Sequence, residues 1–197
     1  MIGLVVVISL LVLIVLFNIV YKKTQYDVSY VKSKIDNNYY IVKNHIDMQR
    51  SADLLAELYS KILKLNTYLY ANKNNEQYGK FKSYIMKLDK KIKKTVITEN
   101  TDNETYTSYT INKGEKIAFC LRSKKYPYHF HDINLITYVA LHEISHIACP
   151  EIGHTDLFKE IFAFITSIAI KLNIYEYEDF KNYPKEYCGI DVNDSII

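Results

Sequence analysis

Residues 142–146 read His142-Glu143-Ile144-Ser145-His146, and this pentapeptide constrains the fold more than any other stretch of the chain. An HExxH pattern works only on a helix. Positions i and i+4 then lie one above the other on a single face, where two imidazoles can reach one metal ion. The glutamate between them sits beside the ion and can take a proton from a water that zinc activates. The flanking residues agree: from Ile133 to about Ala148, Leu135, Ile136, Val139, Leu141, Ile144 and Ile147 supply an apolar surface at helical spacing. Histidines in so apolar a helix cost free energy unless partnered, so His142 and His146 point to a ligand rather than to two ordinary core side chains.

Catalytic zinc generally takes three protein ligands and leaves one position open. The third candidate is His154, in Pro150-Glu151-Ile152-Gly153-His154. Pro150 ends the helix, and Gly153 permits the turn that brings His154 back toward the ion. Asp156 and Glu160 are the alternative third ligands. Thr155 is placed to N-cap a second helix from about Asp156, whose apolar side is Phe158, Ile161, Phe162, Ile165, Ile168 and Ala169. One zinc ion is therefore the expected cofactor, and a protein or peptide the expected substrate. Glu143 would accept the proton of the attacking water and pass it to the leaving amine. Tyr183 and Tyr187 are candidates for stabilising the oxyanion, although tyrosine, at 19 residues, is too common to single them out.

The other strong signal is at the N-terminus. Ile2 to Val20 carries no charge and is broken only by Gly3, Ser9 and Asn18, so as a helix it would span about 28 Å, close to a bilayer's hydrocarbon thickness. This predicts an uncleaved transmembrane anchor, since the basic n-region and cleavage site of a signal peptide are missing. Lys22 and Lys23 follow at once, with Lys32 and Lys34 nearby, which by the positive-inside rule puts the bulk of the chain in the cytoplasm. Cys120, Cys149 and Cys188 are odd in number and form no C-x-x-C pair, so they read as unpaired structural thiols in a reducing compartment.

Between anchor and motif, residues 27–94 read mostly as helix. Leu54, Leu55, Leu58, Ile62, Leu65 and Leu69 recur at spacings of three and four, the Asn-rich 72–79 stretch reads as a loop, and Phe81, Tyr84, Ile85, Leu88 and Ile92 resume the helical period. The basic run Lys87, Lys90, Lys91, Lys93 and Lys94 reads as a solvated face, with a phosphate or anionic-lipid contact as the alternative. A net charge of +3 gives no further support for nucleic acid. Tyr106 to Ile111 and Lys116 to Leu121 are short β-rich runs around an Asn112-Lys113-Gly114-Glu115 turn, and an extended substrate is expected to pair with the edge of this hairpin.

The stretch LHEISHIACPEIGHTDLF resembles the zincin metallopeptidases of the WLM and SprT-like type: HExxH, a short glycine-containing spacer, then a histidine followed four positions later by Phe, here His154 and Phe158. The resemblance covers roughly residues 133–165 and implies ligand roles for His142, His146 and His154 and the base role for Glu143. More loosely, TSYTINKGEKIAFCLRS, the LLAEL helix and the closing YCGI are similar to WLM-type proteins encoded by large DNA viruses, which implies a host or virion membrane for the anchor. Two features depart from the metzincins: seven residues separate His146 from His154, and no Met follows Met86. The family is known for cleaving proteins crosslinked to DNA. Here an apparent anchor and no recognisable DNA-binding module carry over the peptidase chemistry alone.

The expected fold class is α+β and mainly helical. It comprises a transmembrane anchor over 1–21, a helical juxtamembrane part over 22–94, a zincin-like core with a short β-hairpin or sheet and the HExxH helix over 95–182, and a C-terminal tail over 183–197. The competing readings are a non-catalytic membrane protein with a structural zinc site, which would have no need of Glu143, and a viral or membrane scaffold that binds partners through the helices of residues 27–94.

Overall fold

The computed structural model describes residues 9–17, 28–100, 107–126 and 128–197. Two strands, β1 (Val28–Lys32) and β2 (Tyr39–Lys43), precede the long helix α1 (Met48–Ala71), a 3-10 turn over Glu76–Phe81 and helix α2 (Lys82–Ile92). Strands β3 (Val96–Glu99), β4 (Tyr109–Ile111) and β5 (Lys116–Phe119) follow, then helices α3 (Ile133–Ala148) and α4 (Asp156–Lys171). A small hairpin of β6 (Lys185–Tyr187) and β7 (Ile190–Val192) lies near the C-terminus.

The first five strands form one mixed sheet in the order β1-β2-β3-β5-β4. The pairs β1/β2 and β4/β5 are antiparallel, while β2/β3 and β3/β5 are parallel. Parallel neighbours need a long crossover, which α1 and α2 provide between β2 and β3. Helix α1 packs on β1, β2 and β3 and against α3, and α3 packs against α2 and α4. The leucine stripe accounts for this seating: Leu54, Leu55, Leu58, Ile62, Leu65 and Leu69 are each at most 3% exposed. Each such side chain stabilises the fold by about 1.5–3 kcal/mol on burial. A buried ion pair sits where β2 and β3 end. Arg122 pairs with Glu99 and donates to the Ile46 carbonyl at 2.7 Å, while Glu99 accepts from the Lys43 amide at 2.9 Å. These partners satisfy two charges that could not otherwise be buried.

Three expectations are corrected. First, residues 9–17 are helical, but no helix among the described residues is long and apolar enough to cross a membrane. A span needs about 20 consecutive apolar helical residues, and none of the described helices supplies them. The rest of the Ile2 to Val20 stretch, residues 1–8 and 18–20, lies outside the described residues. The single-pass anchor and the cytoplasmic orientation taken from Lys22 and Lys23 therefore do not stand. Second, residues 28–43 are not helical but form the β1–β2 hairpin, turning at Asn37 with φ 62°. The short hairpin expected over 106–121 is thus one end of a five-stranded sheet. Third, Cys120 and Cys188 form a disulfide, with their Cα atoms 6.1 Å apart. The end of β5 and the β6–β7 turn meet within bridging distance, a juxtaposition that a sequence separation of 68 hides. Cys149 alone is a free, buried thiol.

Candidate metal centre

Helix α3 runs over the expected Ile133–Ala148, capped at its start by Asp132, whose side chain accepts from the Asn134 amide at 2.8 Å. It places His142 and His146 on one face. Cys149, which precedes Pro150, leaves the helix in extended geometry at φ −69° and ψ 131°. Gly153 then adopts φ 82°, a conformation that side-chain-bearing residues rarely hold, and the chain turns back. Thr155 caps α4 by accepting from the Phe158 amide at 3.3 Å.

The turn delivers His154 to the other two histidines. The Nε2 atoms of His142 and His146 lie 3.1 Å apart, those of His146 and His154 3.2 Å, and those of His154 and His142 3.0 Å. Three ligands of one tetrahedral zinc, each about 2.0–2.1 Å from the ion, would stand about 3.3 Å from one another. The donor set and its spacing therefore fit a zinc ion. Burial first, then the charges of His146 and His154, lowers the pKa of His142 to about 3. Burial, followed by His154 and Lys113, lowers that of His146 to about 4. Both rings are thus held neutral, the form in which imidazole binds metals.

Phe158 is the floor of this cluster. It is 2% exposed, its ring stacks on His146 with centroids 4.2 Å apart and planes 24° apart, and it meets His142 and His154 edge-on at 5.0 Å. The alternative third ligands lie elsewhere: Glu160 pairs with Lys80 at 2.6 Å, and Asp156 lies 3.5 Å from Lys159 with its side chain almost wholly exposed.

Glu143 faces a cleft of about 330 Å³ that Ser108, Thr110, Lys113 and the three histidines help to line. Its carboxyl is buried, which pushes its pKa up to about 7, while a hydrogen bond from Thr110 Oγ1 to Oε2 at 2.7 Å pulls the other way. Thr110 was not singled out in the sequence. It is one of many threonines, and only strand pairing brings it over α3. Of the two tyrosines, Tyr187 is fully buried with its hydroxyl 2.7 Å from Ser108 Oγ, behind the cleft wall. Tyr183 is 76% exposed and does not line the cleft.

No family model matches the chain. An uncharacterized protein of Acanthamoeba polyphaga mimivirus is 43% identical over 188 residues, which is 95% of this chain and 94% of that protein. Uncharacterized proteins of invertebrate iridescent viruses 6 and 3 are 35% and 39% identical over 96 and 90 residues, covering 48% and 44% of this chain and 52% of each relative. The viral kinship suggested by the sequence is thus found in its relatives. Among solved structures, Wss1 of Saccharomyces cerevisiae shows 19% identity and a TM-score of 0.37 over 52% of this chain and 87% of that one, a likeness too slight to rest an argument on.

Proposed function

The chain belongs to the family of the uncharacterized mimivirus protein, and we propose that it is a zinc-dependent metallopeptidase of the WLM/SprT-like type. The observation that carries this reading is the convergence of three Nε2 atoms within 3.2 Å of one another, in the cleft that Glu143 faces. His142, His146 and His154 would hold the ion. When bound, zinc makes a water acidic enough to react near neutral pH and polarises the carbonyl under attack.

The rest of the chemistry falls to the chain's own groups. Thr110 fixes Oε2 of Glu143, which leaves Oε1 to take the proton of the attacking water and hand it to the leaving amine. A carboxyl can serve both steps, because it can accept a proton and give it up again, and the burial of Glu143 favours the protonated form that links them. Strand β4 is outermost in the sheet, and its residues Tyr109 and Thr110, with Ser108 just before it, line the cleft, so an extended peptide can add to its outer edge.

Metal analysis paired with a Glu143→Gln variant tests this. Zinc retained at one ion per chain with peptide cleavage abolished is the expected result. Zinc bound at full occupancy in a wild type that cleaves no peptide would favour a purely structural site instead.

A further inference from the structure

The basic run of α2, expected as a solvated face, turns two of its lysines inward. Lys87 Nζ donates to the Cys149 carbonyl at 2.7 Å, and Lys91 Nζ to the Lys113 carbonyl at 2.8 Å. Lys113 Nζ in turn donates to the Cys149 carbonyl at 3.0 Å and to the Glu151 carbonyl. Three ammonium groups thereby join α2, the β4–β5 turn and the segment that leaves α3. The end of a helix suits them, since its last carbonyls lack intrahelical partners and carry the negative end of the dipole. Gly114 makes the approach possible: a Cβ there would stand 3.0 Å from Ile147 Cγ2, one residue beyond His146.

The segment so held is the one that decides where His154 lies. His142 and His146 inherit their spacing from the helix, whereas His154 depends on residues 149–153, which have no regular structure. Pro150, Glu151, Ile152 and Gly153 are all exposed, so no buried side chain anchors them. Cys149 is held by its buried side chain and by its amide's bond to the Ser145 carbonyl at 2.8 Å; beyond it Lys113 reaches the backbone through the Glu151 carbonyl, and Lys113 also lines the cleft beside His146 and His154.

We propose that Lys113, supported by Lys87, is a positioning residue that clamps the 149–151 backbone and so keeps His154 turned toward His142 and His146. This rests on the zinc reading above and adds to it the residue that holds the third ligand's segment in place.

The test compares wild type with Lys113→Met, Lys113→Arg and Lys87→Met in the full chain. Zinc affinity is read by chelator competition, and ligand geometry by the visible spectrum of the cobalt(II)-substituted protein. Methionine is as unbranched as lysine, so the backbone at φ 53° treats the two alike. Lys113→Met should bind zinc about 10- to 100-fold more weakly and alter the cobalt bands, with the circular dichroism of the fold retained. Lys113→Arg should restore both, because it still donates. Lys87→Met should move both in the same direction by less, since Lys113 keeps its hold on the Cys149 carbonyl. Unchanged affinity and spectrum in Lys113→Met would overturn the clamp while leaving the zinc site intact. Should that variant not fold, Lys87→Met decides the matter on the same two readouts. A wild type that binds no metal would overturn the zinc reading and the clamp with it.

Discussion

Thr110 Oγ1 donates to Oε2 of Glu143 at 2.7 Å, and this contact joins the outermost strand of the sheet to the helix that carries two of the three histidines. A carboxyl that is only 5% exposed has little water to orient it, so this donor determines which of its oxygens is committed and which can move a proton.

Replacing Thr110 by Val keeps the side chain's shape and removes the donor. The variant should lose about 10- to 100-fold in kcat on a peptide substrate, with KM and zinc content close to wild type. Thr110→Ser should recover most of the rate. Steady-state kinetics beside metal analysis gives the answer, and a Thr110→Val enzyme at full rate would show the bond to be idle.

Phe158 supports all three imidazoles, so truncating it removes packing as well as alignment. Phe158→Ala should cost about 3–5 kcal/mol of folding stability. Urea unfolding in the presence of a chelator separates that loss from metal binding. A change below 1 kcal/mol would mean that the site collapses around the gap.

The Cys120–Cys188 bridge closes a loop of 68 residues and ties β5 to the hairpin that carries Tyr187. A Cys120→Ser/Cys188→Ser double variant should be less stable than the oxidised wild type by about 2–4 kcal/mol. The difference should vanish when both are unfolded with a phosphine reductant present. Equal stability under oxidising conditions would mean that the crosslink does not form in the folded chain.

His131 makes stability pH-dependent. It is buried, and its Nε2 accepts from the Cys188 amide at 3.1 Å, so the ring must be neutral there. Burial lowers its pKa below the ordinary 6.5, against the pull of Glu186. The unfolded chain therefore binds the proton more readily. The contribution of His131 is complete above about pH 6.5 and declines as the pH falls below it. His142 and His146 act in the same direction, so the decisive comparison is wild type against His131→Gln, metal-free, from pH 7.5 to 5. The wild type should lose more stability over that range, and parallel profiles would exclude the effect.

Local features of the chain were readable in proportion to how locally they are made. The bounds of α3, the Thr155 cap and the turn at Gly153 follow from neighbours within a few residues, and the structure places each where the pattern does. The β1–β2 hairpin was also signalled, by β-branched runs on either side of Asp36-Asn37-Asn38, but the helical period further on masked it. The apolar N-terminal run satisfied a length rule that no helix among the described residues meets.

The sequence by itself determined the chemistry on offer: two imidazoles and a carboxyl at a helical spacing, a third imidazole past a glycine, and a phenylalanine one turn further on. Only the tertiary structure decided what surrounds them. Thr110, Lys113 and Lys87 lie 33, 36 and 62 residues from the atoms they bond, and Cys120 lies 68 from its partner. Such pairings are set by sheet order and by the packing of α2 on α3, to which no spacing along the chain refers. Hydrogen bonds and disulfides form between whatever groups the fold brings within about 3 Å for the one and 6 Å between Cα atoms for the other, and the hydrophobic burial that drives folding carries no label for them.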